Sequence, residues 1–115
     1  KFGFPLRSPY AASKWAVIGF TKSLSIELGS SNIRVNTILP SIVTGERNRQ
    51  VFGARAKAKG ISYEEMSRQA VERVSLRTMI DPEEVADLAV FLCSRHGRAM
   101  TGGAYDICGG TESIV

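Results

Sequence analysis

At 115 residues, with 43% apolar and 23% charged residues, the chain has the composition of one folded domain with a modest core rather than of a disordered segment. The net charge of +4 is mild and is not interleaved with aromatics as on a nucleic-acid surface, which argues against that partner. No apolar run approaches bilayer-spanning length, no leader pattern opens the chain and residue 1 is lysine, so the expectation is a cytoplasmic, membrane-free domain that begins inside a longer protein.

The pattern predicts a first helix opening at Ser8-Pro9. Ser8 is placed to cap it, and Pro9 suits the first helical position, where no N–H is required. The helix runs from Tyr10 to about Leu28 and ends at Gly29, expected as a left-handed terminator. Its apolar residues, among them Ala12, Trp15, Val17, Phe20 and Ile26, cover most of the circumference, so more than one side should be buried.

Ile33 to Leu39, β-branched and closed by Pro40, reads as a strand. A basic, weakly helical stretch follows from Glu46 to Lys59 and stops at Gly60. Ser62 opens the next helix, with Glu65 completing a capping box and Ile61 and Met66 placed as a hydrophobic staple. Another helix begins at Asp81-Pro82-Glu83-Glu84, where cap, proline and two acids agree. Val85, Leu88, Ala89 and Leu92 recur at i, i+3, i+4 and i+7 as its core stripe, and Gly97 should end it. Ala104 to Cys108 reads as a last strand, stopped by Gly109-Gly110.

Two strands joined through a long helical crossover imply parallel neighbours in an α/β sheet. Two strands cannot cover three or four helices, however, so the rest of the sheet is expected from residues upstream of Lys1 or from another chain. Cys93 and Cys108 form neither a CxxC pair nor a metal-ligand spacing and read as small buried hydrophobes, as in a reducing cytoplasm.

Tyr10 and Lys14 are four residues apart, so on a helix they share a face. A phenol is a poor proton shuttle at neutral pH, and a neighbouring ammonium favours the phenolate. Such a pair can deliver a proton to an alkoxide or take one from a hydroxyl, and the lysine has donors left for a ribose diol.

Four blocks extend this reading. Pro9-Tyr10-Ala11-Ala12-Ser13-Lys14-Trp15-Ala16 resembles the active-site helix of the short-chain dehydrogenases/reductases. Ile33 to Asn36 followed by Pro40 is similar to that family's next strand and proline-glycine loop. Asp81 to Ala86 with Phe91-Leu92 resembles its penultimate helix, and Thr101 to Gly110 its final strand. The blocks keep the family's order over nearly the whole chain. The resemblance implies the C-terminal half of a single Rossmann-like domain over residues 1–115, containing about two strands and three to four helices of a doubly wound parallel sheet.

It further implies NAD or NADP as cofactor, an alcohol or carbonyl substrate, and assembly as a homotetramer or homodimer. Tyr10 would be the general acid/base, with Lys14 assisting it and holding the nicotinamide ribose. Tyr10, Lys14, Pro40, Ser41, Val43 and Thr44 would line the cofactor, with the Val43 backbone at the carboxamide. The family's catalytic serine and glycine-rich phosphate loop precede this chain; Ser8 and Ser13 stand too close to Tyr10 to be that serine. The loop departs from the family's pattern: Ser41 replaces the glycine, and Gly45 stands where a threonine is usual, with Thr44 one place early. The second reading is a non-catalytic half-domain retained for assembly.

Arg47, Arg49, Arg55, Lys57 and Lys59 occupy the family's variable substrate-lid segment, with Arg47 nearest the loop. They read as a solvated helix face or as an attraction for anionic substrate. His96 is placed to meet the last carbonyls of a helix, and Trp15 points off the Tyr-Lys face toward packing. Tyr63 and Tyr105, lacking a lysine four residues on, read as structural.

Overall fold

A computed structural model describes residues 6–111. Helix α1 spans Ser8–Leu28, strand β1 Thr37–Pro40, α2 Glu46–Lys59, α3 Tyr63–Val71, α4 Pro82–Cys93 and β2 Ala104–Ile107. Single 3-10 turns at Gly29–Ser31 and Arg95–Gly97 follow α1 and α4. The two strands pair in parallel, with Thr37 opposite Ala104 and Pro40 opposite Ile107, as the long helical crossover requires.

β1 is shorter than the apolar run suggests, because residues 33–36 have other partners. The N–H of Ile33 bonds back to Leu28 O, and that of Val35 donates to Thr101 Oγ1 at 3.1 Å. Arg34 Nη1 reaches three carbonyls, Leu92 O at 2.6 Å, Gly97 O at 2.9 Å and Met100 O at 3.3 Å. It thereby satisfies Leu92 O at the end of α4 and ties that end to the turn before β2. Asn36 Nδ2 donates to Met100 O at 2.8 Å, while its Oδ1 accepts from Gly103 N at 3.1 Å. These side chains lock the turn that precedes β2.

Both ends of α1 differ from the sequence expectation. Ser8 is the first helical residue rather than the cap; Arg7 holds the cap position, and its carbonyl accepts from Ala11 N at 2.9 Å. Gly29 stays right-handed and carries the chain into a 3-10 turn, so the left-handed residue is Asn32, at φ 59°. Asparagine tolerates that region better than most side chains. Gly60 does end α2 as expected, at φ 66°.

Ser62 Oγ accepts from Glu65 N at 3.0 Å, half of the expected capping box. The Glu65 carboxylate turns instead to Arg68 and Gln69 at 2.7 Å each. The box at α4 is complete, with Glu84 Oε2 accepting from Asp81 N at 2.8 Å. Phe52 and Ala56 of α2 meet Met66 of α3 in a small core, joined by Ile42, Ile61, Ala70 and Met79. On α4, Val85, Leu88, Ala89 and Leu92 are its best covered apolar residues, as their spacing predicts.

Helix α1 buries only Ile18 and Thr21, leaving Phe20 64% exposed and Ile26 82%. α4 likewise leaves Val90 and Phe91 in solvent. Cys93 is exposed, not buried, because it lies on this uncovered side of α4; Cys108 is half-buried. The radius of gyration is 16.6 Å, against about 13 Å for a compact domain of this length.

Candidate active site

The first half of α1, strand β1 and α2 as far as Arg55 border a half-open cavity of about 820 Å3. α1 brings Tyr10 and Lys14 to it on adjacent turns of one face. The Lys14 ammonium lies 5.5 Å from the Tyr10 ring centroid, within cation–π range. Ser13, between them, donates from Oγ to Tyr10 O at 2.8 Å and stays with the helix backbone.

Pro40, Ser41, Val43 and Thr44 line the same cavity. All six residues singled out in the sequence therefore share one space. The loop is held from three sides. Ser41 Oγ and Thr111 Oγ1 are 2.9 Å apart, and Thr111 Oγ1 donates to Cys108 O at 2.7 Å. The Thr111 proton is thus spent on Cys108, so Ser41 is the donor between the two hydroxyls. Backbone bonds of 2.8 Å tie Thr44 N to Ile80 O and Ile80 N to Ile42 O. Finally, Asn48 Nδ2 donates to Val43 O at 2.9 Å from the first turn of α2.

The Thr44 hydroxyl donates to Asp81 Oδ1 at 3.0 Å, so its proton is directed toward the start of α4. Gly45 then turns the chain into α2 at φ 135°, in a region that only glycine occupies freely. This sharp entry sets the start of α2 at the cavity mouth.

Of the five cations singled out on α2, Arg47 and Arg55 line the cavity, whereas Arg49, Lys57 and Lys59 do not. Trp15 is half-exposed and contributes to the cavity wall, so it is not packed into a core of the described residues. His96 sits in the 3-10 turn after α4, stacked on Phe91 at 6.5 Å, and does not line the cavity. Tyr105 lies against Gly103, where any side chain would collide with its ring. Sequence reasoning missed Asn48 as the clamp on Val43 and Cys108 as a lining residue; neither belongs to a recognisable spacing.

Residues 1–112 match the family model described as enoyl-(acyl carrier protein) reductase. The chain is 34% identical over 106 residues to human dehydrogenase/reductase SDR family member 4, covering 92% of this chain and 35% of that protein. A crystal structure of a short chain dehydrogenase family protein from Francisella tularensis superposes with a TM-score of 0.91 at 36% identity, over 95% of this chain and 45% of that one. The chain belongs to the short-chain dehydrogenase/reductase family.

Its α/β architecture is the corresponding part of that family's Rossmann-like fold. Actinorhodin polyketide ketoreductase, solved with NADPH, is a further similar structure, at TM-score 0.86 and 32% identity over 97% of this chain and 43% of that one. The chain spans less than half the length of these family members. Among the described residues no helix is long and apolar enough to cross a membrane.

Proposed function

We propose that the chain is the C-terminal half of an oxidoreductase domain that uses NAD or NADP to interconvert an alcohol and a carbonyl compound. The observation carrying this reading is that Tyr10 and Lys14 face one cavity with the Pro40–Thr44 loop. Polar groups suited to a nicotinamide nucleoside meet there: an ammonium for the ribose diol, and backbone of a clamped loop for a carboxamide. The NADPH held by the similar polyketide ketoreductase supports the same assignment.

When bound, the dinucleotide accepts or donates the hydride at the substrate carbon. The chain's own residues manage the proton. In alcohol oxidation the Tyr10 phenolate takes the hydroxyl proton as the C–H hydride leaves; in reduction the Tyr10 phenol returns a proton to the developing alkoxide. Lys14, 5.5 Å from the Tyr10 ring centroid, carries N–H donors for the ribose. Asn48 holds the Val43 carbonyl and thereby the loop that lines the cofactor. The remaining catalytic and phosphate-binding groups would come from the preceding half of the domain.

The test is cofactor binding and turnover by the complete protein. NADH and NADPH should be bound at or below millimolar concentration, and one of them oxidised with a ketone or aldehyde substrate. Binding of neither would replace this reading with that of a non-catalytic half-domain kept for assembly.

A further inference from the structure

Helix α2 contributes to the wall of the cavity that Tyr10 and Lys14 also line. Its lining residues Arg47, Val51 and Arg55 recur every four positions, forming one ridge along the helix. Arg47 and Arg55 are eight residues apart, about 12 Å along the axis. The ridge thus offers two guanidiniums with an aliphatic side chain between them.

Elsewhere in the helical hairpin an arginine finds carboxylates: Arg68 of α3 pairs with Glu65 at 2.7 Å and Glu72 at 2.9 Å. Neither Arg47 nor Arg55 has an ion pair or hydrogen bond with a described residue. The cavity also contains the carboxylates of Glu46 and Asp106. Glu46 accepts from Gln50 at 3.0 Å, one turn along its own helix, and is not turned to either arginine. Arginine is the side chain best shaped to hold a carboxylate or phosphate, through paired N–H donors.

We propose that Arg47 and Arg55 form an anion subsite that selects the substrate: a small carbonyl or alcohol compound bearing a carboxylate or phosphate, bound with that group against α2 and its reacting carbon toward Tyr10. This rests on the oxidoreductase reading above. Arg49, on the same helix but outside the cavity, carries the same charge and provides the internal control.

The test uses the complete protein with matched pairs of ketones: acetoacetate against its methyl ester, and dihydroxyacetone phosphate against dihydroxyacetone. The anionic member of one pair should have a kcat/KM on the order of tenfold higher or more, as expected for charge-assisted hydrogen bonds. The pair showing the preference tells carboxylate from phosphate. Arg47→Gln with Arg55→Gln should remove it through substrate KM, leaving cofactor KM unchanged, whereas Arg49→Gln should keep it.

Equal use of neutral and anionic members would overturn the subsite, as would an equal loss in Arg49→Gln, which would indicate a diffuse field. A rise confined to cofactor KM would assign the arginines to the cofactor instead. Preference only for a thioester attached to an acidic carrier protein would make α2 a protein-docking helix and overturn the small-molecule proposal. If the cofactor binds and neither pair reacts, the subsite is wrong; if the cofactor does not bind, the oxidoreductase reading itself fails.

Discussion

Tyr10 differs from phenylalanine by one oxygen, which makes Tyr10→Phe the sharpest probe of the proposed chemistry. In the complete protein the substitution should remove nearly all turnover while cofactor affinity and fold survive. Retention of most of the rate with any nicotinamide-linked substrate would show that another group moves the proton. Lys14→Ala should damage both turnover and cofactor affinity, since charge and ribose donor disappear together. Lys14→Arg should recover only part of the loss, because a guanidinium keeps the charge but not the compact ammonium geometry. This pair was legible in the sequence because a four-residue interval on a helix is itself a distance. The Thr44 to Asp81 bond was not, since it joins positions 37 residues apart and only the fold brings them together. Asn48 was equally silent: one asparagine in a basic stretch gives no sign of which carbonyl it will find.

Local signals of the elements were read well where they are short-range and polar. Ser62 with Glu65, and Asp81 with Glu84, mark helix starts that the fold preserves. Ser62→Ala should cost about 1 kcal/mol, the usual value of an N-cap, read as a lower urea midpoint of the complete protein. On α3 the Arg68 hydrogen bond holds the Glu65 carboxyl below its ordinary pKa. A depressed carboxyl contributes stability above its unfolded pKa and loses it as pH falls through the lower, folded value. Acidification through the carboxylate range should therefore loosen α3, seen as faster amide exchange there, and Arg68→Gln should blunt that dependence. Apolar signals misled at element ends. The run from Ile33 reads as strand throughout, yet Arg34 and Asn36 spend their side chains on the turn after α4. Arg34→Ala should strip three carbonyls of their shared donor, costing about 1.5–3 kcal/mol, the range for hydrogen bonds to a charged group.

For the molecule as a whole, burial is where sequence pattern and structure ask the same question. The apolar circumference of α1 predicted cover on several sides, and the described residues cover one. Residues 1–115 alone should therefore associate or aggregate; a monodisperse monomer with a cooperative thermal transition would contradict this. Within the complete protein, the exposed face of α1 fits a symmetric contact between copies, so that Phe20→Glu should lower the mass seen by sedimentation at micromolar concentration. A wild-type monomer under those conditions would refute it.

The pairing of β1 with β2 has a consequence for time rather than for energy. The bond from Gly103 to Asn36, which sets the start of the ladder, spans 67 residues of chain. Closing so long a loop precedes any gain from the ladder, and such distant contacts slow folding. During synthesis β1 emerges well before its partner exists, and α2, α3 and α4 must wait beside an unpaired strand edge. A ribosome stalled before Ala104 should therefore carry a protease-sensitive nascent chain, and extension through residues 104–111 and out of the ribosome should convert it to a resistant one.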